Sequence, residues 1–112
     1  MSIRKLDKAE WRSFFDRLSK TLEGERAEIE TTSLSLGAQV QANWVPIIGL
    51  VYDPKDDVIE LALNGLDHLI QKPRDVYVDE QADMVGSFEI VDANNASHIV
   101  KFKAPIALSQ RS

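Results

Sequence analysis

VYDPKDDVIELALNGLDHLI, residues Val51 to Ile70, gathers Asp53, Asp56, Asp57, Glu60, Asp67 and His68 into one short run, and its reading decides the fold. Either these side chains are ligands of a site or they are the wet side of a sheet. Asp53-Pro54-Lys55-Asp56 has Asp at the first and Pro at the second position of a type I turn. Asn64-Gly65 is the signature of a two-residue type I′ hairpin. With those two as turn residues, Leu63 faces Leu66, Leu61 faces His68 and Ile59 faces Ile70, all on one face. Val58, Glu60, Ala62, Asp67 and Leu69 occupy the other. The competing reading is a single helical turn over Leu66–Ile70 capped by Asn64. The strand register separates His68 from Glu60 and Asp67, so the ligand cluster dissolves into two opposed faces.

Working outward, Trp11, Phe14, Phe15, Leu18 and Leu22 fall on one helical stripe and predict a helix over about 8–23. Asp7 with Glu10 reads as a capping box, Leu6 with Trp11 as a hydrophobic staple, and Gly24 as the stop. Arg12, Asp16 and Lys20 alternate in sign on the solvated side. From Arg26 onward, Val, Ile and Thr alternate with polar residues over short runs broken by Gly, Pro, Asn and Asp, which predicts strands and turns over about 26–104. The expected strands are Arg26–Thr32, Ala38–Trp44, Ile47–Tyr52, Val58–Leu63, Leu66–Gln71, Asp75–Asp79, Ser87–Val91 and Ser97–Lys103. A tail of about 105–112 follows. Ile47–Tyr52 is apolar on both faces and reads as a central strand. One helix covers only one face of it, so the sheet either curls into a small barrel or meets a second subunit.

The fold class is therefore α+β: an N-terminal amphipathic helix packed on a strongly bent antiparallel sheet or small barrel, as a single domain over 1–112. The expected core is Trp11, Phe14, Phe15, Leu18, Ile29, Val40, Ile47, Val51, Ile59, Leu61, Phe88, Ile90, Val100 and Phe102. A chain of 112 residues has no room for a second domain. The absence of cysteine removes disulfides, thiolate metal sites and cysteine nucleophiles, and fits a reducing, cytoplasmic setting. No run of the sequence reaches the roughly 20 apolar residues of a bilayer span, so no membrane partner is expected. A net charge of -5 opposes nucleic acid as a default partner.

Candidate chemistry is sparse. A calcium loop starting at Asp53 fails because Lys55 stands where a ligand is needed and Asn64 where the closing Glu belongs. Two histidines thirty residues apart make a poor transition-metal site, so neither a metal nor a cofactor is expected. His68 reads as a core-face histidine with one backbone partner, and His98, beside the Asp92-Ala-Asn-Asn-Ala96 turn, as exposed. No nucleophile elbow or phosphate-cradling glycine loop is present, so the expectation leans away from an enzyme. Lys101 and Lys103 share one strand face and read as solubilising an edge strand; with Lys72 and Arg74 they form a weaker nucleic-acid alternative. Trp44-Val45-Pro46-Ile47-Ile48 brings apolar bulk to a strand entrance and suggests a partner surface. The candidate pocket or interface is thus His68, Trp44, Tyr52, Glu60 and Asp67. The expected role is a non-enzymatic interaction module whose partner is a second copy or another protein. The rival is a small-molecule or metal-binding protein with a pocket near His68.

At IRKLDKAEW, ANWVPIIGLVYDPKDDVIELAL and GLDHLIQKPRDVYVDE the chain resembles a family of small bacterial proteins known only as a domain of unknown function. The resemblance covers nearly the whole length and implies a freestanding bacterial cytoplasmic protein, with no activity or site residues to carry over. The helix-then-strands order is also similar to Sm-like small barrels, an analogy of fold alone, and the Sm RNA-binding motifs are absent.

Overall fold

The computed structural model describes residues 2–108. Among them the order of elements is β1 (Ser2–Lys5), α1 (Lys8–Ser19), β2 (Arg26–Ser33), β3 (Gly37–Asp53), β4 (Val58–Leu63), β5 (Leu66–Gln71), β6 (Pro73–Gln81), β7 (Met84–Asp92) and β8 (Ser97–Ala107). The strands form one antiparallel sheet in the order β1-β6-β7-β8-β2-β3-β4-β5. It bends strongly but does not close, because its two ends, β1 and β5, do not pair with each other. The barrel expectation is thereby corrected. At the corner where closure would begin, Lys72 adopts φ 53 and turns the chain out of β5 into β6. Its N–H goes to the Asp57 carbonyl and its own carbonyl accepts from Ala93 N–H, both at 2.9 Å. Those backbone groups serve turns, so β5 and β6 run on rather than side by side.

The opening stretch folds in the predicted register. Leu63 lies opposite Leu66, Leu61 opposite His68 and Ile59 opposite Ile70, and Leu66–Gln71 is a strand, not a helical turn. The turn differs from expectation: Gly65 has φ +81 while Asn64 is not in the left-handed region, which is the sign pattern of type II rather than type I′. Asn64 N–H is held by the Pro46 carbonyl at 3.0 Å, a tertiary bond that selects the turn. In the other hairpin Lys55 N–H donates to Asp53 Oδ1, and the four-residue loop closes through Asp57 at φ 52.

The two strands expected at 38–44 and 47–52 are one long strand, β3, with the bend inside it. Gly37–Pro46 pairs with β2, Ile47–Asp53 pairs with β4, and a bulge between Ile47 and Gly49 separates the halves. A bulge shifts alternation by one residue. That is why Val51, expected in the core, is 47% exposed while Leu50 and Tyr52 are buried; Val40, also expected there, is 56% exposed because of an earlier bulge, where Ile29 faces Ala42 but Glu30 faces Val40. On its outer face the second half of β3 leaves Ile48 and Val51 exposed. Its free edge runs along α1, where Leu50 N–H donates to Ser19 Oγ.

α1 lays Trp11, Phe14, Phe15 and Leu18 onto the concave face. Trp11 stands edge-on to Tyr52 and Phe15 edge-on to Phe88. Each such side chain contributes roughly 1.5–3 kcal/mol by leaving water, so this one face anchors helix to sheet. Asp7 N–H donates to Glu10 Oε1, the Glu half of the expected box. The helix ends at Ser19 rather than near 23, because Thr21 gives both its N–H and its hydroxyl to the Leu18 carbonyl and so tightens the chain out of the α conformation. Leu22 is still buried, and Gly24 takes φ +80 beyond it. The expected C-terminal tail is partly strand: β8 runs on to Ala107, with Val85 opposite Ile106. Residues 109–112 lie outside the described residues. β8 is also an inner strand, between β7 and β2, so Lys101 and Lys103 solubilise no edge. Among the described residues no helix is long and apolar enough to cross a membrane.

Candidate functional site

The predicted site residues do not converge. Tyr52 is buried on the core side; its hydroxyl donates to Asp57 Oδ1 at 2.9 Å, and burial, reinforced by the Asp57 carboxylate, pushes its phenol up to about 12. Trp44 sits half-buried at the bend of β3 with φ 54, and its carbonyl accepts from Arg26 Nη1. Glu60, between Val51 and Leu69, and Asp67, opposite Ala62, lie on the outer face. His68 is on the inner face.

What the inner face brings to His68 is the second histidine. His98, expected to be exposed, is 7% exposed. His68 Nε2 stands 3.1 Å from His98 Nδ1, and His98 Nε2 stands 3.0 Å from Asp92 Oδ2. Thr31 Oγ1 from β2 lies 3.4 Å from the same Nδ1. Asp92 is itself fixed: its Oδ1 accepts from Asn94 N–H at 2.9 Å and Ala96 N–H at 3.0 Å. The Asp92-Ala-Asn-Asn-Ala96 turn is thus an Asx-type loop that aims one carboxylate oxygen at its own backbone and the other at His98. Strand alternation carries the signal for this: His98 has the parity of Val100 and Phe102, both core residues. Proximity to a turn argued for exposure, and parity overrules it because β8 is paired on both sides from its first residue, Ser97, to β7 and β2.

The contact between β5 and β8 spans strands that are far apart in the sheet order, and only the bend of β3 brings them together. Burial, with His98 nearby, holds the His68 imidazole below the usual histidine range. For Asp92, burial alone acts upward, but the hydrogen bond from His98 and the backbone N–H groups of Ala96 and Asn94 outweigh it and hold the carboxyl below its usual value. Asp92, His98 and His68 therefore form one line of three side chains at hydrogen-bond distance. Among the described residues no three His, Cys, Asp or Glu converge to hold a metal ion. The surface also carries hollows away from the pair. One of about 130 Å³ lies on the outer face between Ile3, Tyr77, Asp79, Ser87, Glu89 and Ile99, and another runs between α1 and the β3–β4 loop along Arg12, Val51 and Lys55. Of the basic residues, Arg74 is engaged by Asp75 and Asn95, and Lys101 lies across from Glu28.

Comparison with known proteins finds relatives of unassigned function. An uncharacterised protein of Aquifex aeolicus (strain VF5) is 35% identical over 111 residues, covering 98% of this chain and 100% of that protein. No solved structure matches. A family model described as a family of unknown function (DUF5335) matches residues 2–111, and the chain belongs to that family.

Proposed function

We propose that this chain is a non-enzymatic interaction module whose partner is a second copy of itself, paired along the free edge of β5. The observation that carries this reading is the uncovered edge itself. β5 ends the sheet, and its six residues, Leu-Asp-His-Leu-Ile-Gln, hold one carboxylate, no Pro and no Lys. Leu69 is 52% and Leu66 42% exposed. Natural sheets blunt such edges with short strands and cations. The opposite end does so, with β1 only four residues long and carrying Arg4 and Lys5.

The hydrogen-bond phase supports the same edge. Leu50 N–H points away from β4 to Ser19, so alternation turns Leu61 toward β5, His68 back toward β4, and the N–H and C=O of Asp67, Leu69 and Gln71 outward. An antiparallel, two-fold contact centred on Leu69 sets Leu69 against its counterpart and Asp67 against Gln71 of the second copy, with no like charges opposed. Such a contact is small, so association of micromolar order is expected. Sedimentation equilibrium tests it: the wild type should show a concentration-dependent dimer, and Leu69→Lys, a change at an exposed position, should be monomeric with an unchanged fold. A wild type that stays monomeric at every concentration removes the proposal.

A further inference from the structure

We infer that the line Asp92–His98–His68 is a proton-operated latch that holds the β4–β5 hairpin against β8 and releases it in acid. Two imidazole nitrogens 3.1 Å apart make a hydrogen bond only when one proton lies between them. With Asp92 accepting from His98 Nε2–H, His98 Nδ1 is either an acceptor for His68 Nε2–H or, once protonated, a donor to a His68 that has switched tautomer. Both arrangements keep the rings together. A proton on both facing nitrogens leaves two N–H groups and two positive charges opposed across the same gap, and the contact breaks.

Among the described residues nothing else facing the pair offsets that repulsion. From β2 the neighbour is the Thr31 hydroxyl, from β4 it is Leu61, and from β7 it is Ile90 together with Asp92, which is already engaged by His98. Glu30, Glu60, Asp67 and Glu89 sit on these same strands, but alternation puts them on the outer face. Arg74, near the β7–β8 loop, is taken by Asp75 and Asn95. The low position of His68 relative to ordinary histidine, caused first by burial and then by His98, agrees with this. β5 is paired on one side only, by β4, and sends Ile70 into the core, so the histidine contact is the polar tie from this edge across the mouth of the curled sheet. Release frees the edge without unfolding β7 and β8.

The test is residue-resolved hydrogen exchange against pH, read as protection factors so that intrinsic exchange cancels, together with ¹⁵N NMR titration of the imidazoles. It is run on Leu69→Lys, where pairing between copies is removed, so that a failure here is separate from a failure of the self-association reading. Below the ordinary histidine value of 6.5, protection of the Leu66, His68 and Ile70 amides, which face β4, should fall by up to about tenfold per pH unit, one proton being taken up per opening, while Met84–Asp92 holds. His68 should titrate below 6.5. His68→Gln, whose amide can still donate to His98 Nδ1, should abolish the selective loss. The latch is overturned if the Leu66, His68 and Ile70 amides lose protection in parallel with Met84–Asp92, if His68 titrates at or above the ordinary value, or if His68→Gln keeps the same pH dependence.

Discussion

Replacing His98 by Ala isolates the most consequential contact that the fold creates. Asp92 keeps its two backbone donors but loses a hydrogen bond to a charged acceptor worth about 1.5–3 kcal/mol, and His68 loses a neutral one worth about 1 kcal/mol. The ring is 93% buried, since His98 is 7% exposed, and truncation leaves a space at the open end of the sheet where water enters. The packing loss is therefore toward the low end for core truncations, about 1–2 kcal/mol. Together the loss is about 3.5–6 kcal/mol, a large part of the roughly 5–15 kcal/mol that holds a domain of this size. Urea unfolding followed by tryptophan fluorescence reads it directly, with the m-value checking that the change is in stability rather than in compactness. A double-mutant cycle with Asp92→Asn should return a coupling of at least about 1 kcal/mol, because the two side chains touch. A His98→Ala loss below about 1 kcal/mol, or a coupling near zero, refutes the claim that this network ties the sheet together.

Two acid-sensitive windows should separate. The His68 value lies below its ordinary one in the folded chain, so the unfolded chain binds the extra proton as pH falls below 6.5; stability is full above that and declines, by at most about 1.4 kcal/mol per unit, until the folded value is passed. Asp92 is likewise held low, and its contribution is lost only below the ordinary carboxyl value; urea midpoints of wild type and His68→Gln should change with pH by different amounts in the first window and in parallel in the second. Acid should also weaken self-association, visible as a dimer constant that rises below pH 6.5 in wild type but not in His68→Gln. Gly65→Ala meets open space but must hold φ +81, so it should cost about 1–2 kcal/mol of backbone strain and no packing. Trp11 Nε1 is buried without a hydrogen-bond partner, so Trp11→Phe removes an orphaned donor along with some volume. Thermal unfolding should place it within about 1–2 kcal/mol of wild type, against about 3–5 for Trp11→Ala.

The hairpin register from Val58 to Gln71 follows from the sequence alone, because a period of two and a two-residue turn leave no freedom once Asn64-Gly65 is the turn. The stripe of α1 is equally local. β1 is not legible, since all four of its residues are exposed and it is a strand only through its pairing with β6. The exposure of Val40 and Val51 hangs on two bulges in β3, one opposite β2 and one opposite β4, a matter of partners rather than of propensity. For the same reason the sequence could sort His68 away from Glu60 and Asp67 but could not find its true neighbour. His68 and His98 are thirty residues and several strands apart, and nothing local in either segment encodes the other. Alternation determined which way each imidazole points. Only the curvature of the sheet decided that they point at each other.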